Sequence, residues 1–234
     1  TKPLLQYGVE EALNAGLTEM AIVTGRGKRA IEDHFDDSFE LESQLIGSSK
    51  EDCLEGIKEV IEKSTFTYVR QRQMLGLGHA ILTGESLIGK EPFAVILADD
   101  LCDSGKDGVM SKMIDIYNEY KCSVIAIEEI PHTEIEKYGI ISGDLIHGTT
   151  DTYQVTDMIE KPAPNDLIKN SEYGKSLKNS IPFKAIVGRY ILTPDIFDFL
   201  KKTKPGANKE IQLTDALLSQ AKQGRVIAYQ FKGK

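Results

Sequence analysis

Tryptophan is absent from this 234-residue chain, and cysteine occurs only at positions 53, 102 and 122. Three scattered cysteines without a C-x-x-C pair are typical of reduced thiols, so the sequence predicts no disulfide framework. None of the four histidines has a partner at metal-ligand spacing, which argues against a zinc site. The sparse thiols therefore favour a cytoplasmic protein.

Long apolar runs and an excess of positive charge are also missing. No stretch reaches the roughly 18–20 apolar residues of a membrane span, and Glu10, Glu11 and Glu19 argue against a signal peptide. The formal net charge is −8, which disfavours a nucleic-acid or anionic-membrane surface. These absences argue against both a membrane and a nucleic-acid partner. They are compatible with a phosphate ligand, because local lysines or Mg²⁺ can create a positive site.

What the sequence does contain is an alternation of helical and strand-like stretches up to residue 127. This order predicts an α/β fold with a mixed, mostly parallel central sheet and helices on both faces. Paired strands at 138–146 and 153–160 predict a small β subregion, and the polar stretches 36–50 and 163–180 predict loops. No repeat or linker divides the chain, so one domain over residues 1–234 is predicted. Because the first residue is Thr rather than Met, the chain is expected to be a fragment or a processed form.

The most informative stretch joins two predicted strands through a glycine-containing loop and a helix. Gln71 follows the first strand, Gly76 and Gly78 lie in the loop, and the apolar run 93–98 ends in Asp99-Asp100. Ligands in open α/β sheets bind at the carboxyl ends of strands. An amide beside open glycine backbone suits a base edge, and a carboxylate suits Mg²⁺ carrying phosphates. Alternatively, the glycines form only a tight turn and the aspartates are turn or cap residues.

A second candidate site combines Glu160-Lys161-Pro162 with Gly139. If the strand ends there, Glu160 and Lys161 could reach one ligand, the carboxylate contacting sugar hydroxyls and the ammonium contacting a phosphate. The alternatives are an exposed, weak ion pair and a glycine that marks a β-bulge. No G-x-S-x-G motif or Cys/His arrangement signals nucleophilic catalysis. Chemistry that depends on positioning and charge neutralisation, such as phosphoryl or nucleotidyl transfer, fits better.

A series of short motifs runs along essentially the whole chain, at 69–71, 75–80, 97–100, 137–140, 158–162, 187–190 and 210–215. Each motif alone is weak, but the ordered set is specific. In this order the motifs resemble those of the bacterial UTP–glucose-1-phosphate uridylyltransferases, also called UDP-glucose pyrophosphorylases.

The resemblance implies a Rossmann-like nucleotidyltransferase fold and a Mg²⁺-dependent reaction in which UTP and glucose 1-phosphate give UDP-glucose and pyrophosphate. It also implies a homo-oligomer. The residue roles that it implies are uracil contacts from Gln71 and Gly76, glucose contacts from Gly139 and Glu160, the sugar phosphate at Lys161, a sugar pocket lined by Val187 and Gly188, the catalytic metal at Asp99, and a second metal-binding carboxylate at Asp215.

One departure from the family is large. The family begins with a strand and a G-x-G-T-R type loop that wraps the triphosphate, and this sequence starts after that loop and stops soon after its last strand. A non-catalytic nucleotide-sugar-binding fragment is therefore an alternative. Thymidylyltransferases remain a further alternative, because one glutamine does not distinguish uracil from thymine. Metal-dependent glycosyltransferases remain another, because they also hold a metal ion at an acidic strand end.

Overall fold

The computed structural model describes residues 2–48, 51–103, 105, 108–163, 173, 182–206 and 209–233, and most of the loop predicted at 163–180 lies outside this set. The α-helices are α1 Leu4–Asn14, α2 Arg29–His34, α3 Phe39–Leu45, α4 Glu51–Lys63, α5 Leu77–Thr83, α6 Glu85–Ile88, α7 Val109–Tyr120, α8 Ile196–Lys202 and α9 Leu213–Ala221. The strands are β1 Glu19–Thr24, β2 Thr65–Arg70, β3 Phe93–Ile96, β4 Ser123–Ile130, β5 Gly139–Leu145, β6 Thr152–Glu160, β7 Phe183–Leu192 and β8 Val226–Gln230, and a 3₁₀ helix covers His132–Lys137.

The described strands form two sheets. β1 and β2 pair in parallel as a two-stranded sheet, and the other six strands follow the order β3-β7-β4-β8-β6-β5. β5 also pairs with β7, so the five strands other than β3 close on themselves like a barrel. β3 therefore lies at the edge of this sheet, next to β7.

The prediction of an α/β fold is confirmed, but its strand directions need a correction. Within the described residues β1–β2 and β4–β8 run parallel, whereas β7 runs antiparallel to β3, β4 and β5, and β6 runs antiparallel to β5 and β8. A helix–strand alternation predicts crossover connections, but it does not reveal that a late strand will insert between two earlier ones. β7 inserts between β3 and β4 in the opposite direction and accounts for three of the five antiparallel pairs among the described strands, and β6 accounts for the other two.

Two apolar clusters cover the two faces of the six-stranded sheet. Ile125 and Ile127 of β4 pack with α5, α8 and α9, whereas Val124 and Ala126 pack with α7. This alternation follows from the opposite directions of successive side chains on a strand. Helices therefore lie on both faces, as predicted, and the ends of the strands stay free to carry functional side chains.

One local expectation was wrong. The stretch predicted as a loop at 36–50 contains α3, whose Phe39 is 81% exposed. The run 93–98 forms a strand as predicted, and β3 is half-buried because it is an edge strand. β1 shows an alternating, partly exposed pattern. Within the described ranges, no helix combines the length and apolar character needed to cross a membrane.

Candidate active site

The turn after β3, residues 97–100, is called the acidic turn here. Gly188 of β7 donates its N–H to Asp100 Oδ2 at 2.9 Å, and Leu97 N–H donates to Gly188 O at 2.8 Å. Asp99 is exposed, and its side chain makes no hydrogen bond within the described part of the chain. Asp100 therefore holds the turn against β7, and Asp99 is the carboxylate that remains available to a ligand.

Arg189 holds the acidic turn from the protein interior. Its side chain is 1% exposed and donates to the carbonyl oxygens of Asp100 and Leu97 at 2.9 and 3.3 Å. The guanidinium also pairs with Glu11 of α1 at 2.8 Å. Because a guanidinium donates in fixed directions, this contact set ties helix α1 to the backbone that presents Asp99.

The ends of β5 and β6 present the second group of candidate residues. Gly139 lies opposite Glu160, and the backbone N–H of Lys161 donates to Tyr138 O at 3.1 Å. Lys161 has a φ of 42°, a left-handed conformation that is unusual for a residue with a side chain. This conformation ends the strand alternation, and Lys161 Nζ lies 4.0 Å from Glu160 Oε1. The two side chains therefore lie side by side, and a ligand shared between them stays a prediction.

Glu160 has a further partner that the sequence did not predict. Thr214, in the first turn of α9, donates its hydroxyl to Glu160 Oε2 at 2.6 Å. A Cβ on Gly139 would lie 3.2 Å from Glu160 Oε2 and 3.3 Å from Thr214 Oγ1. Glycine at position 139 therefore leaves room for this contact. The only sequence signal for Thr214 was its place in the motif at 210–215.

The loop at residues 71–78, called the glycine loop here, is held by the side-chain amide of Gln71 and by the segment before α9. Gln71 Nε2 lies 3.2 Å from Gly76 O and 2.9 Å from His79 Nδ1. A backbone carbonyl only accepts, so the amide nitrogen must face Gly76, and His79 Nδ1 then accepts. Gln71 Oε1 has no hydrogen-bond partner among the described residues and can accept from a ligand. The contact from His79 to this amide was not predicted from the sequence.

The glycine loop packs directly against the backbone at Ile211. Gly78 N–H donates to Ile211 O at 2.9 Å, and Ile211 N–H donates to Leu75 O at 2.7 Å. Gly76 has a φ of 89°, which favours glycine, and a Cβ there would lie 2.8 Å from Glu210 Cβ. The loop that carries the residues predicted to contact uracil is therefore fixed to the same short segment that leads into Thr214.

Electrostatics link the two strand ends. Tyr190 of β7 is buried, and burial is the main cause that raises the pKa of its hydroxyl. The negative charges of Glu160, Asp100 and Asp99 raise this pKa further. The hydroxyl of Tyr190 is therefore within electrostatic reach of carboxylates at the ends of both β3 and β6.

Comparison with known proteins agrees with this arrangement. Residues 1–234 match the sequence profile described as "Nucleotidyl transferase". The chain belongs to the nucleotidyl transferase family.

Relatives and solved structures of this family are similar over the whole chain. A UTP–glucose-1-phosphate uridylyltransferase of Pseudomonas aeruginosa is 56% identical over 234 residues, which are all of this chain and 78% of that protein. The crystal structure of an apo UDP-glucose pyrophosphorylase matches with a TM-score of 0.88 at 54% identity, covering all of this chain and 80% of the other. A UDP-glucose pyrophosphorylase in complex with UDP-glucose matches with a TM-score of 0.85 at 52% identity, with the same coverage. These similarities confirm the nucleotidyltransferase fold.

In this member of the nucleotidyl transferase family, the residues predicted from the sequence lie in local groups. Gln71 and Gly76 lie in the glycine loop, and Glu160 and Lys161 lie side by side. Val187 differs, because its side chain packs with α7 in the apolar cluster on the other face from Ile186 and Tyr190. Only the backbone of Val187 can therefore contribute to a pocket on the Gly139 side. The roles of these residues stay predictions.

Metal binding stays a prediction that the donor set can accommodate. In the part of the chain that the structure describes, three or more His, Cys, Asp or Glu side chains nowhere converge in a way that could hold a metal ion. Mg²⁺ needs only one or two protein carboxylates when phosphate oxygens and water complete its coordination, so Asp99 fits. Asp215 lies in the first turn of α9, and partial burial raises its pKa. No described contact joins Asp215 to Asp99.

Gly78→Ala tests the packing of the glycine loop. The new Cβ would lie 2.6 Å from Ile211 O and 2.8 Å from Leu200 Cδ2, so the loop or the segment before α9 must shift. We expect the free energy of unfolding to fall by about 1–3 kcal/mol and the affinity for UDP to fall with it. Urea denaturation and calorimetry measure the two effects.

The matched control is Gly56→Ala in α4, where nothing lies within 4 Å of the new Cβ. Alanine favours a helix, so this variant should gain about 0.5–1 kcal/mol of stability and bind UDP as before. Equal stability of the Gly78→Ala and Gly56→Ala proteins would contradict the close packing.

Proposed function

We propose that this chain is a uridylyltransferase that forms UDP-glucose and pyrophosphate from UTP and glucose 1-phosphate. The observation that carries this proposal is the double attachment of the segment before α9. Ile211 hydrogen-bonds the glycine loop, and three residues later Thr214 hydrogen-bonds Glu160. A base site and a sugar site joined within four residues suit a nucleotide-sugar. The names of the similar proteins, which include UTP and UDP-glucose, support the same substrates.

Base selection would depend on the orientation of the Gln71 amide. Its nitrogen faces Gly76 O and His79, so its oxygen is the group left for a ligand. Uracil carries an N3–H donor, whereas cytosine carries an acceptor at N3. An acceptor oxygen therefore favours uridine nucleotides over cytidine nucleotides, because a wrong partner leaves a polar group unpaired.

The sugar and its phosphate would lie at the Glu160–Lys161 pair. Glu160 would accept from glucose hydroxyls, and the exposed ammonium of Lys161 would lie next to the phosphate of glucose 1-phosphate. An oxygen of that phosphate attacks the α-phosphorus of UTP, a new P–O bond forms, and the bond to the leaving pyrophosphate breaks. Lys161 offsets the negative charge that two approaching phosphates bring together.

Asp99 would hold Mg²⁺ beside the phosphates, with Asp215 as a candidate second carboxylate. When bound, the ion supplies positive charge that neutralises phosphate oxygens. Gly188 and Arg189 hold the backbone of the acidic turn, from which the Asp99 carboxylate would reach the ion. The proposal also includes the predicted homo-oligomer and a cytoplasmic location, which size-exclusion chromatography and cell fractionation would test.

A pyrophosphate-release assay with the purified chain tests the reaction. We expect release with UTP and glucose 1-phosphate in the presence of Mg²⁺, and little release when CTP replaces UTP. Binding of UDP-glucose without any pyrophosphate release would instead support a non-catalytic nucleotide-sugar-binding protein. Transfer of glucose to an acceptor without use of UTP would support a glycosyltransferase.

Lys161→Met tests the phosphate-binding role within this assay. Loss of a charged hydrogen-bond donor costs about 1.5–3 kcal/mol, so kcat/KM for glucose 1-phosphate should fall roughly tenfold to hundredfold. The KM for UTP should change much less. Lys112→Met, on the exposed surface of α7, is the control and should leave the kinetics unchanged. An unchanged kcat/KM in Lys161→Met would remove this lysine from the mechanism.

A further inference from the structure

Thr214 holds one oxygen of the proposed sugar-binding carboxylate. Its side chain is 8% exposed, and its hydroxyl donates to Glu160 Oε2 at 2.6 Å. An O–H donor this close to a carboxylate oxygen makes a charge-assisted hydrogen bond, which is stronger than one between neutral groups. Thr214 therefore restricts the rotation of the Glu160 carboxylate.

The two oxygens of Glu160 consequently have different surroundings. Oε2 is enclosed by Thr214 Oγ1 and by the backbone at Gly139. Oε1 lies 4.0 Å from Nζ of Lys161, and the side chain of this lysine is 61% exposed. A carboxylate oxygen has lone pairs for more than one donor, so Oε1 is the atom open to a ligand hydroxyl.

Thr214 also connects this carboxylate to the base side of the site. The segment that precedes α9 hydrogen-bonds the glycine loop at Gly78 and Leu75 through Ile211. The hydroxyl of Thr214 joins the first turn of the same helix to the end of β6. A sugar contact at Glu160 and a base contact at the glycine loop are thus set at a defined separation.

We propose that Thr214 is a positioning residue that fixes Glu160 Oε1 toward the sugar and thereby sets the preference for a glucose-bearing nucleotide over the bare nucleotide. The inference rests on the proposed function, because it assumes that Glu160 accepts from the sugar. It predicts that loss of the hydroxyl weakens the sugar contribution to binding and leaves the base contribution intact.

Calorimetric binding of UDP-glucose and of UDP to the intact chain tests this inference. Thr214→Val removes the hydroxyl and keeps the shape. We expect the Kd for UDP-glucose to rise about tenfold and the Kd for UDP to stay within about twofold. Thr214→Ser restores the donor and should return the Kd for UDP-glucose toward that of the unmodified chain.

Two controls separate positioning from a general structural effect. Ser219→Ala removes another hydroxyl from the same helix, one that donates to the Asp215 carbonyl, and it should change neither Kd. In a Glu160→Gln background, Thr214→Val should no longer alter the ratio of the two Kd values, since the effect passes through the Glu160 carboxylate. If the Thr214→Val protein proves unstable, Thr214→Ala can replace it in the same double-variant cycle, because alanine also lacks the hydroxyl.

The outcomes distinguish this inference from the proposed function. Failure of the unmodified chain to bind UDP-glucose and UDP would overturn the proposed function, and the inference with it. Binding of UDP-glucose more tightly than UDP, with the same ratio in Thr214→Val, would overturn the inference alone. An equal loss of affinity for both ligands would also overturn it, because a purely structural role predicts that result.

Discussion

Asp99→Asn is expected to lower kcat roughly thousandfold, the scale seen when one charge-stabilising group is removed from an active site. Asparagine has the same shape as aspartate, but it lacks the charge that would hold Mg²⁺ beside the phosphates. Asp99 is exposed and has no side-chain hydrogen bond among the described residues, so the fold should be unaffected. Pyrophosphate release across a Mg²⁺ titration is the measurement.

Asp144→Asn provides the matched control for this prediction. Asp144 is an exposed aspartate on β5, five residues from Gly139, and its loss should leave kcat and the Mg²⁺ response unchanged. Calorimetry should show that Asp99→Asn still binds UDP-glucose, because the base and sugar contacts do not involve this carboxylate. Full activity of Asp99→Asn with an unaltered Mg²⁺ dependence would exclude Asp99 from the reaction.

Arg189→Met is expected to reduce the free energy of unfolding by about 3–5 kcal/mol, since breaking a buried ion pair leaves an uncompensated charge. Arg189 is 1% exposed, and its partner Glu11 is 15% exposed. The second oxygen of Glu11, Oε1, is buried without a hydrogen-bond partner in the described ranges, so little else can compensate for its charge. Urea denaturation should show the loss, and the melting temperature should fall by roughly 10 °C.

The surface pair Arg225–Asp195 supplies the control for Arg189. Its side chains are 41% and 29% exposed, so Arg225→Met should cost only about 0–1 kcal/mol. Adding Glu11→Leu to Arg189→Met removes the orphaned charge and should recover much of the lost stability. Similar losses for Arg189→Met and Arg225→Met would mean that the buried pair has no special role in holding the acidic turn.

Much of this architecture could be predicted from patterns along the chain. Apolar runs predict strands, which is why the run 93–98 was recognised as a strand, and β3 begins at its first residue, Phe93. The hairpin of β5 and β6 followed from two strand-like stretches around a turn. The glycine loop and the Glu160-Lys161-Pro162 segment were also singled out, because glycine permits backbone conformations that other residues avoid and proline restricts the backbone, wherever they occur.

Other features depend on contacts between residues far apart in the sequence. The insertion of β7 between β3 and β4 changed the strand directions, and this pairing leaves no mark on the periodicity of any one strand. Val187 was expected to line the sugar pocket, but the face that its side chain occupies depends on the register of β7. α3 was missed because its residues are mostly polar and exposed, which is also typical of a loop.

By itself, the sequence determined the identity and order of the chemical groups, which are an amide and glycines after one strand, carboxylates after another, and a glutamate–lysine pair before a proline. Only the tertiary structure decided which of these groups meet and which neighbours orient them. Thr214 contacts Glu160 across 54 positions, and Arg189 contacts Glu11 across 178. Propensity and periodicity act over one or two turns of chain, whereas contacts such as these form only when the whole sheet and its helices pack together.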